Sequence, residues 1–150
     1  MSDSRNRPDP SPPPATPSDT YTHGHHPSVL KSHTWRTVEN SAAYLIPYLR
    51  PGLSLLDVGC GPGTITTELA ARISPGPVTG IDAALGVIDK ARTAAAAYDN
   101  LTFEVDDCYG MSFADDSFDV VHAHQVLQHL SDPVSALGEM KRVVKPDGIV

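Results

Sequence analysis

Cysteine is scarce in this chain, which carries only Cys60 and Cys108. Two thiols are too few for a disulfide scaffold, and their spacing is not that of paired metal ligands. Long apolar runs are missing too. No stretch approaches the ~18 residues that a membrane-spanning helix needs, which excludes a transmembrane protein. No apolar segment follows Met1 in the manner of a secretory leader, so the expected compartment is the reducing cytoplasm. Positive charge is short where it would matter. Residues 51–150 hold six basic against fourteen acidic side chains, residues 1–50 hold five against four, and the whole chain has net charge −7. An acidic body repels phosphate backbones, so nucleic acid is not an expected partner and a cationic ligand is favoured.

Proline is abundant, and its placement is informative. Six of the 14 prolines fall within the first 17 residues. This head has little to bury and reads as a disordered tail over 1–20. Over 21–52 the pattern suggests a helical segment, one or two helices from Tyr21 to Arg50, with Val38, Ala42, Leu45 and Leu49 near one face and Pro51-Gly52 ending the run. The remaining stretch, 53–150, is long enough for one real core.

That stretch alternates strand and helix. Leu53 to Val58 is a short apolar run bounded by glycine, and Thr64 to Ile73 reads as a helix stopped by Ser74-Pro75-Gly76. Val78 to Ile81, Leu101 to Val105 and Phe118 to Ala123 read as further strands, with a helix over Ala84–Ala97 carrying Val87, Ile88 and Ala91 inward. Asp132 and Pro133 open another helix as N-cap and first-turn residue. Its expected core stripe is Leu137, Met140 and Val144, with Pro146-Asp147-Gly148 ending it and Ile149-Val150 beginning a fifth strand. Repeated strand-helix units imply an α/β fold: a doubly wound, Rossmann-like parallel sheet in three α/β/α layers.

The strongest local signal is the run Leu55-Leu56-Asp57-Val58-Gly59-Cys60-Gly61-Pro62-Gly63-Thr64. Placed between the first strand and its helix, such a turn lets a ligand approach the backbone and meet the free N–H groups of a helix start. Asp82 ends the second strand about 20 residues on, where a carboxylate can accept from both hydroxyls of a ribose. Asp107, with Cys108 beside it, follows the third strand. A carboxylate and a backbone N–H there can read an adenine edge, and Asp106 exchanges roles with Asp107 if the register slips by one. Ala123-His124 closes the fourth strand at the sheet edge where open α/β folds bind ligands. Dinucleotide binding predicts G-x-G-x-x-G, but Thr64 holds the last glycine's place. Asp57 before the turn would repel a pyrophosphate and suits an ammonium or sulfonium.

These residues resemble class I S-adenosylmethionine-dependent methyltransferases, and most nearly their ubiquinone/menaquinone-biosynthesis-like, small-molecule (methyltransferase type 11) subgroup. Leu55 to Thr64 looks like the family's first motif. Ser117-Phe118-Asp119-Val120-Val121 with Val126-Leu127-Gln128-His129-Leu130 is similar to its fourth-strand region, and Lys145-Pro146-Asp147-Gly148 to the turn before its fifth strand. The resemblance implies S-adenosyl-L-methionine as cofactor and methyl transfer to a small-molecule acceptor. It places Asp57, Gly59 and Gly61 by the methionine part, Asp82 on the ribose, Ala83 by the adenine, and Asp107 and Cys108 at the adenine edge. His124 is the best-placed base and His129 the second, while His122, inside the strand, reads as structural. An N-terminal lid would bring Tyr21, His25, Trp35 and Arg36 to the site. No metal is expected, although imidazoles cluster at His23, His25 and His26. Because the family's later strands would lie beyond Val150, the rival expectation is a truncated, inert fragment that only binds or interacts.

Overall fold

The structure is a computed structural model that describes residues 35–150. The expected tail, the first part of the expected lid, and the candidates Tyr21 and His25 lie outside the described residues.

Five strands form one parallel sheet in the order β3-β2-β1-β4-β5: β1 Leu55–Val58, β2 Val78–Asp82, β3 Leu101–Val105, β4 Phe118–Ala123 and β5 Val144–Ile149. Helices α2 Thr64–Ile73 and α3 Leu85–Ala95 link β1 to β2 and β2 to β3, and α4 Pro133–Val143 links β4 to β5. Before them come one turn of helix, α1 Val38–Ser41, and a 3-10 helix, Ala43–Tyr48. Among the described residues no helix is long and apolar enough to cross a membrane.

Period-two alternation sends neighbouring strand residues to opposite faces, and each face is covered by helix. Leu55, Val78, Leu101, Phe103 and Val120 pack with Val38, Leu45, Leu69, Ile73 and Ile88 on one side. Leu56, Val58, Ile81 and Val121 pack with Met140 and Val143 on the other. All four β1 residues are buried, as befits a strand at the centre of such a sheet. The expected doubly wound sheet is therefore present.

The one or two helices expected before β1 correspond, among the described residues, to α1 and the 3-10 stretch that follows it, where Pro47 has no N–H to give. Val38, Ala42 and Leu45 are nonetheless buried, with Leu49 packed against them. Two expectations about α4 need correction. Its stripe is Ala136, Met140 and Val143, which keeps Met140 of the expected set but has Ala136 and Val143 in place of Leu137 and Val144, and Leu137 is exposed. Nor does Pro146-Asp147-Gly148 end that helix. A residue before proline favours extended backbone, so the helix stops at Val143 and Val144 already pairs with Phe118. The next pairing is Val120 with Ile149, so the Lys-Pro-Asp-Gly run is a bulge inside β5.

Asp119 secures the start of the sheet. Its Oδ2 accepts from the Ser54 backbone N–H and hydroxyl, both at 2.8 Å, and Lys145 Nζ lies 3.0 Å from Oδ1. The Ser54 N–H first, then Lys145 and the Ser54 hydroxyl, hold this carboxyl below the usual carboxylate range, against the opposing pull of burial. A depressed folded-state pKa gives stability that is present above the unfolded value of about 3.9 and is lost as pH falls through the folded value. Asp119→Asn should therefore unfold at lower urea than the parent at pH 7, with the gap closing below about pH 4. A gap that stays constant down to pH 2.5 would contradict this role.

Candidate functional site

The chain runs β1-α2-β2-α3-β3 outward to one sheet edge, then returns to place β4 on the other side of β1. At that reversal the loops after β1 and β4 diverge and leave a crevice at the carboxyl ends of the strands. A cleft of about 300 Å³ lies there. The ends of β1, β2, β3 and β4 all reach it, and it gathers Asp57, Gly59, Gly61, Asp82, Ala83, Asp107, Cys108, His124 and Arg36 from the expected set. Asp106 and His129 also line it. Trp35 stands 63% exposed and outside this lining.

The glycine turn has the backbone that only glycine adopts without strain. Gly59 and Gly61 have φ of 68° and 57°, in the left-handed region. A Cβ on Gly59 would stand 2.5 Å from Val126 Cγ2, so the turn is pressed against the loop after β4. At Gly61 a Cβ would meet no protein atom within 4 Å, which leaves the space over the turn open to a ligand.

Asp82 joins two walls of the cleft. Its Oδ2 accepts from Gly61 N–H at 3.2 Å and its Oδ1 from Ala84 N–H at 3.0 Å. Each carboxylate oxygen has a second lone pair, so two acceptor positions remain for ligand hydroxyls. Asp106 spends both oxygens on its own loop, accepting from Asp107 N–H and Ser112 N–H, each at 2.9 Å. Asp107 uses one oxygen, for Tyr109 N–H at 2.9 Å.

Asp57 is 3% exposed yet reaches the cleft wall. Thr66 Oγ1 donates to its Oδ2 at 2.6 Å, and His122 Nδ1 lies 2.9 Å from its Oδ1. Charge follows from this. Among the described residues the lining holds Asp57, Asp82, Asp106 and Asp107, with Arg36 its one Lys or Arg, so it favours a ligand with a cationic group. Burial, then the negative charges of Asp57 and Asp82, push the Cys60 thiol far up, so it stays protonated and is no nucleophile at neutral pH. His124 moves the other way: burial first, then Arg36 and His122, lower its pKa, with Asp57 opposing. Its imidazole is therefore neutral near pH 7 and able to accept a proton.

Tyr109, Gln125 and Val126 line the cleft as well, and sequence reasoning did not single them out as site residues. Gln125 has φ of 57°, a loop conformation that no local motif announces. His122 was expected to be structural. It is buried within β4, and it also contacts Asp57 of the cleft wall.

A parallel sheet of this order, a glycine turn after β1 and acids closing the next two strands define a class I methyltransferase fold. Comparison with known proteins agrees: residues 49–150 match a family described as a methyltransferase domain, and the chain belongs to that family. It is 39% identical over 138 residues to an uncharacterized methyltransferase of Schizosaccharomyces pombe, covering 87% of this chain and 50% of that protein. It is 37% identical over 103 residues to a demethylmenaquinone methyltransferase of Staphylococcus aureus, covering 68% of this chain and 43% of that protein. Among solved structures, a SAM-dependent methyltransferase from Aquifex aeolicus superposes with TM-score 0.70 at 25% identity, over 81% of this chain and 68% of that one. The chain thus spans about half the length of the curated relatives it matches.

Proposed function

We propose that this chain binds S-adenosyl-L-methionine in the cleft and serves methyl transfer to a small-molecule acceptor in the cytoplasm. The observation that carries the reading is the set of acids, Asp57, Asp82 and Asp107, at the ends of β1, β2 and β3 around a glycine turn with open space above it. Residues 53–150 would form the cofactor domain, 21–52 a segment covering it, and 1–20 a tail. The chain's two cysteines, Cys60 and Cys108, are too few for a disulfide scaffold, which suits a reducing compartment.

The donor set fits this cofactor group by group. Asp82 would take the ribose hydroxyls on its remaining lone pairs, and Asp107 with the Cys108 backbone would take the adenine edge beside Ala83. Asp57, Gly59 and Gly61 would face the methionine end, whose carboxylate Arg36 would meet. When bound, S-adenosylmethionine supplies a methyl group already activated by its sulfonium. The residues then contribute mainly position and exclusion of water. Where the acceptor is a hydroxyl or a carbon acid, His124 would take its proton, since its imidazole is neutral at working pH.

Calorimetric titration tests the binding claim: micromolar S-adenosylhomocysteine affinity with none for NAD supports it, and binding of neither ligand removes it. His124→Ala should lower kcat by roughly 100-fold or more with little change in cofactor affinity. The acid limb of the parent's rate profile should fall below the ordinary histidine value of about 6.5, because the His124 pKa is lowered. Unchanged kcat in the variant would leave the site without this base.

A further inference from the structure

A hydrogen-bonded chain leads from the cleft wall through the sheet to the protein surface. Asp57 Oδ1 lies 2.9 Å from His122 Nδ1, and His122 Nε2 lies 2.9 Å from the Tyr44 hydroxyl. The inner two members are enclosed, with side chains 5% and 4% exposed for Asp57 and His122. Tyr44, on the 3-10 helix, is 60% exposed and opens the outer end to water. Thr66 fills the other carboxylate oxygen of Asp57, so the acid is held from both sides.

The roles of the ring nitrogens follow from what each faces. An ionised carboxylate only accepts, so Nδ1 carries a hydrogen toward Asp57 in both charge states of the imidazole. Nε2 is where the states differ. Protonated, it donates to the Tyr44 oxygen; neutral, it accepts the Tyr44 O–H. A phenol can serve either way without ionising, and burial together with the Asp57 charge raises the Tyr44 pKa, which keeps that hydrogen in place. Among the described residues, the other titratable or charged groups placed near this ring are His124, stacked on it at 6.5 Å and 9° just past the end of β4, and Arg36, which lines the same cleft and whose charge acts on His124.

With His122 protonated, Asp57 is already neutralised by a buried partner. With His122 neutral, the same carboxylate presents one uncompensated negative charge to the cleft. We propose that His122 is a positioning residue that aims Asp57 and loses its Nε2 proton, by way of Tyr44 to water, when a cationic ligand binds beside Asp57. The phenol takes the Nε2 proton as its own hydrogen passes to solvent, so Tyr44 ends unchanged and one proton leaves per ligand. The ligand's positive charge then replaces the proton's. Two cations on one buried carboxylate would repel at short range in a poorly screened site, which is why one is displaced. The inference rests on the reading of the cleft as an S-adenosylmethionine site and adds to it a charge-matching residue that never touches the ligand.

The sign of the linkage is fixed. Binding favours the unprotonated imidazole, so affinity rises with pH wherever the free protein holds that proton, by up to about tenfold per unit, and levels off once it does not. The test is calorimetric titration of the full chain with S-adenosylmethionine between pH 5.5 and 8, in buffers of different ionisation enthalpy so that protons released are counted. The parent is expected to show rising affinity and proton release approaching one per ligand at the acid end. In His122→Asn the amide nitrogen can donate to Asp57 as Nδ1 does but cannot titrate. That variant should bind like the parent at pH 8 and show a flat profile with the release gone. Binding by the parent without pH dependence or proton release overturns the inference and leaves the cofactor site standing. Proton release that persists in His122→Asn assigns the event to another group and overturns it as well. No binding at any pH overturns both readings together.

Discussion

Asp82→Ala is expected to weaken S-adenosylmethionine binding by about 100-fold, close to 3 kcal/mol. The magnitude comes from losing two hydrogen bonds to an ionised acceptor, each contributing about 1.5–3 kcal/mol before partial replacement by water. It also comes from a looser cradle, because the same carboxylate holds Gly61 N–H at 3.2 Å and Ala84 N–H at 3.0 Å and so ties the glycine turn to the end of β2. Asp82→Asn keeps one acceptor oxygen and should lose nearer tenfold. Both variants should unfold within ~1 kcal/mol of the parent, since water at the cleft can satisfy the two N–H groups that are released. Titration of the variants measures the loss directly, and Asp82→Ala with parental affinity would strip Asp82 of its assigned role.

Phe103→Ala should be among the most destabilising single changes, at about 4 kcal/mol, because a buried aromatic removed from a core takes its transfer energy with it and leaves a cavity. Its ring is 4% exposed and packs over two glycines of the cofactor side. An ideal Cβ would lie 2.5 Å from the ring at Gly63 and 2.6 Å from it at Gly80, so these glycines are bare to make room for it. Gly63 opens α2 directly after the glycine turn, with φ of 84°. The ring therefore packs against Gly63, between the cleft-lining Pro62 and Thr64, and its loss should loosen ligand binding along with the fold. Phe103→Leu should cost about 1.5 kcal/mol or less and should tolerate Gly80→Ala better than the parent does, a coupling that a double-mutant cycle reads by urea unfolding. A loss under ~1.5 kcal/mol for Phe103→Ala would mean that the ring supports little.

The sheet was legible because the strands carry their own punctuation. Leu101–Val105 and Phe118–Ala123 stand at the bounds that their apolar runs mark, and α2 spans Thr64–Ile73 between its glycine turn and Ser74-Pro75. Asp132 caps α4 by accepting from Ser135 N–H at 3.0 Å, as an N-cap aspartate followed by proline implies. The residues proposed to hold the cofactor meet at one cleft for the same reason: glycines and strand-end acids are local features, and the fold brings them to one edge. What escaped was non-local. Period-3.6 counting put Val144 on a helix face, but a partner strand claimed it for β5. The contact of Tyr44 with His122 spans 78 residues, and nothing near either one announces it. Phe103 looks in sequence like any strand aromatic, and its importance comes from glycines on two other elements.

The most direct test of the cofactor site is a crystal structure of the chain with S-adenosylhomocysteine. The ribose hydroxyls should lie within hydrogen-bond distance of the Asp82 carboxylate, with the adenine beside Asp107 and the amino-acid end above Gly59 and Gly61. A ligand bound elsewhere, or seated in the cleft with its ribose away from Asp82, would contradict the assignment.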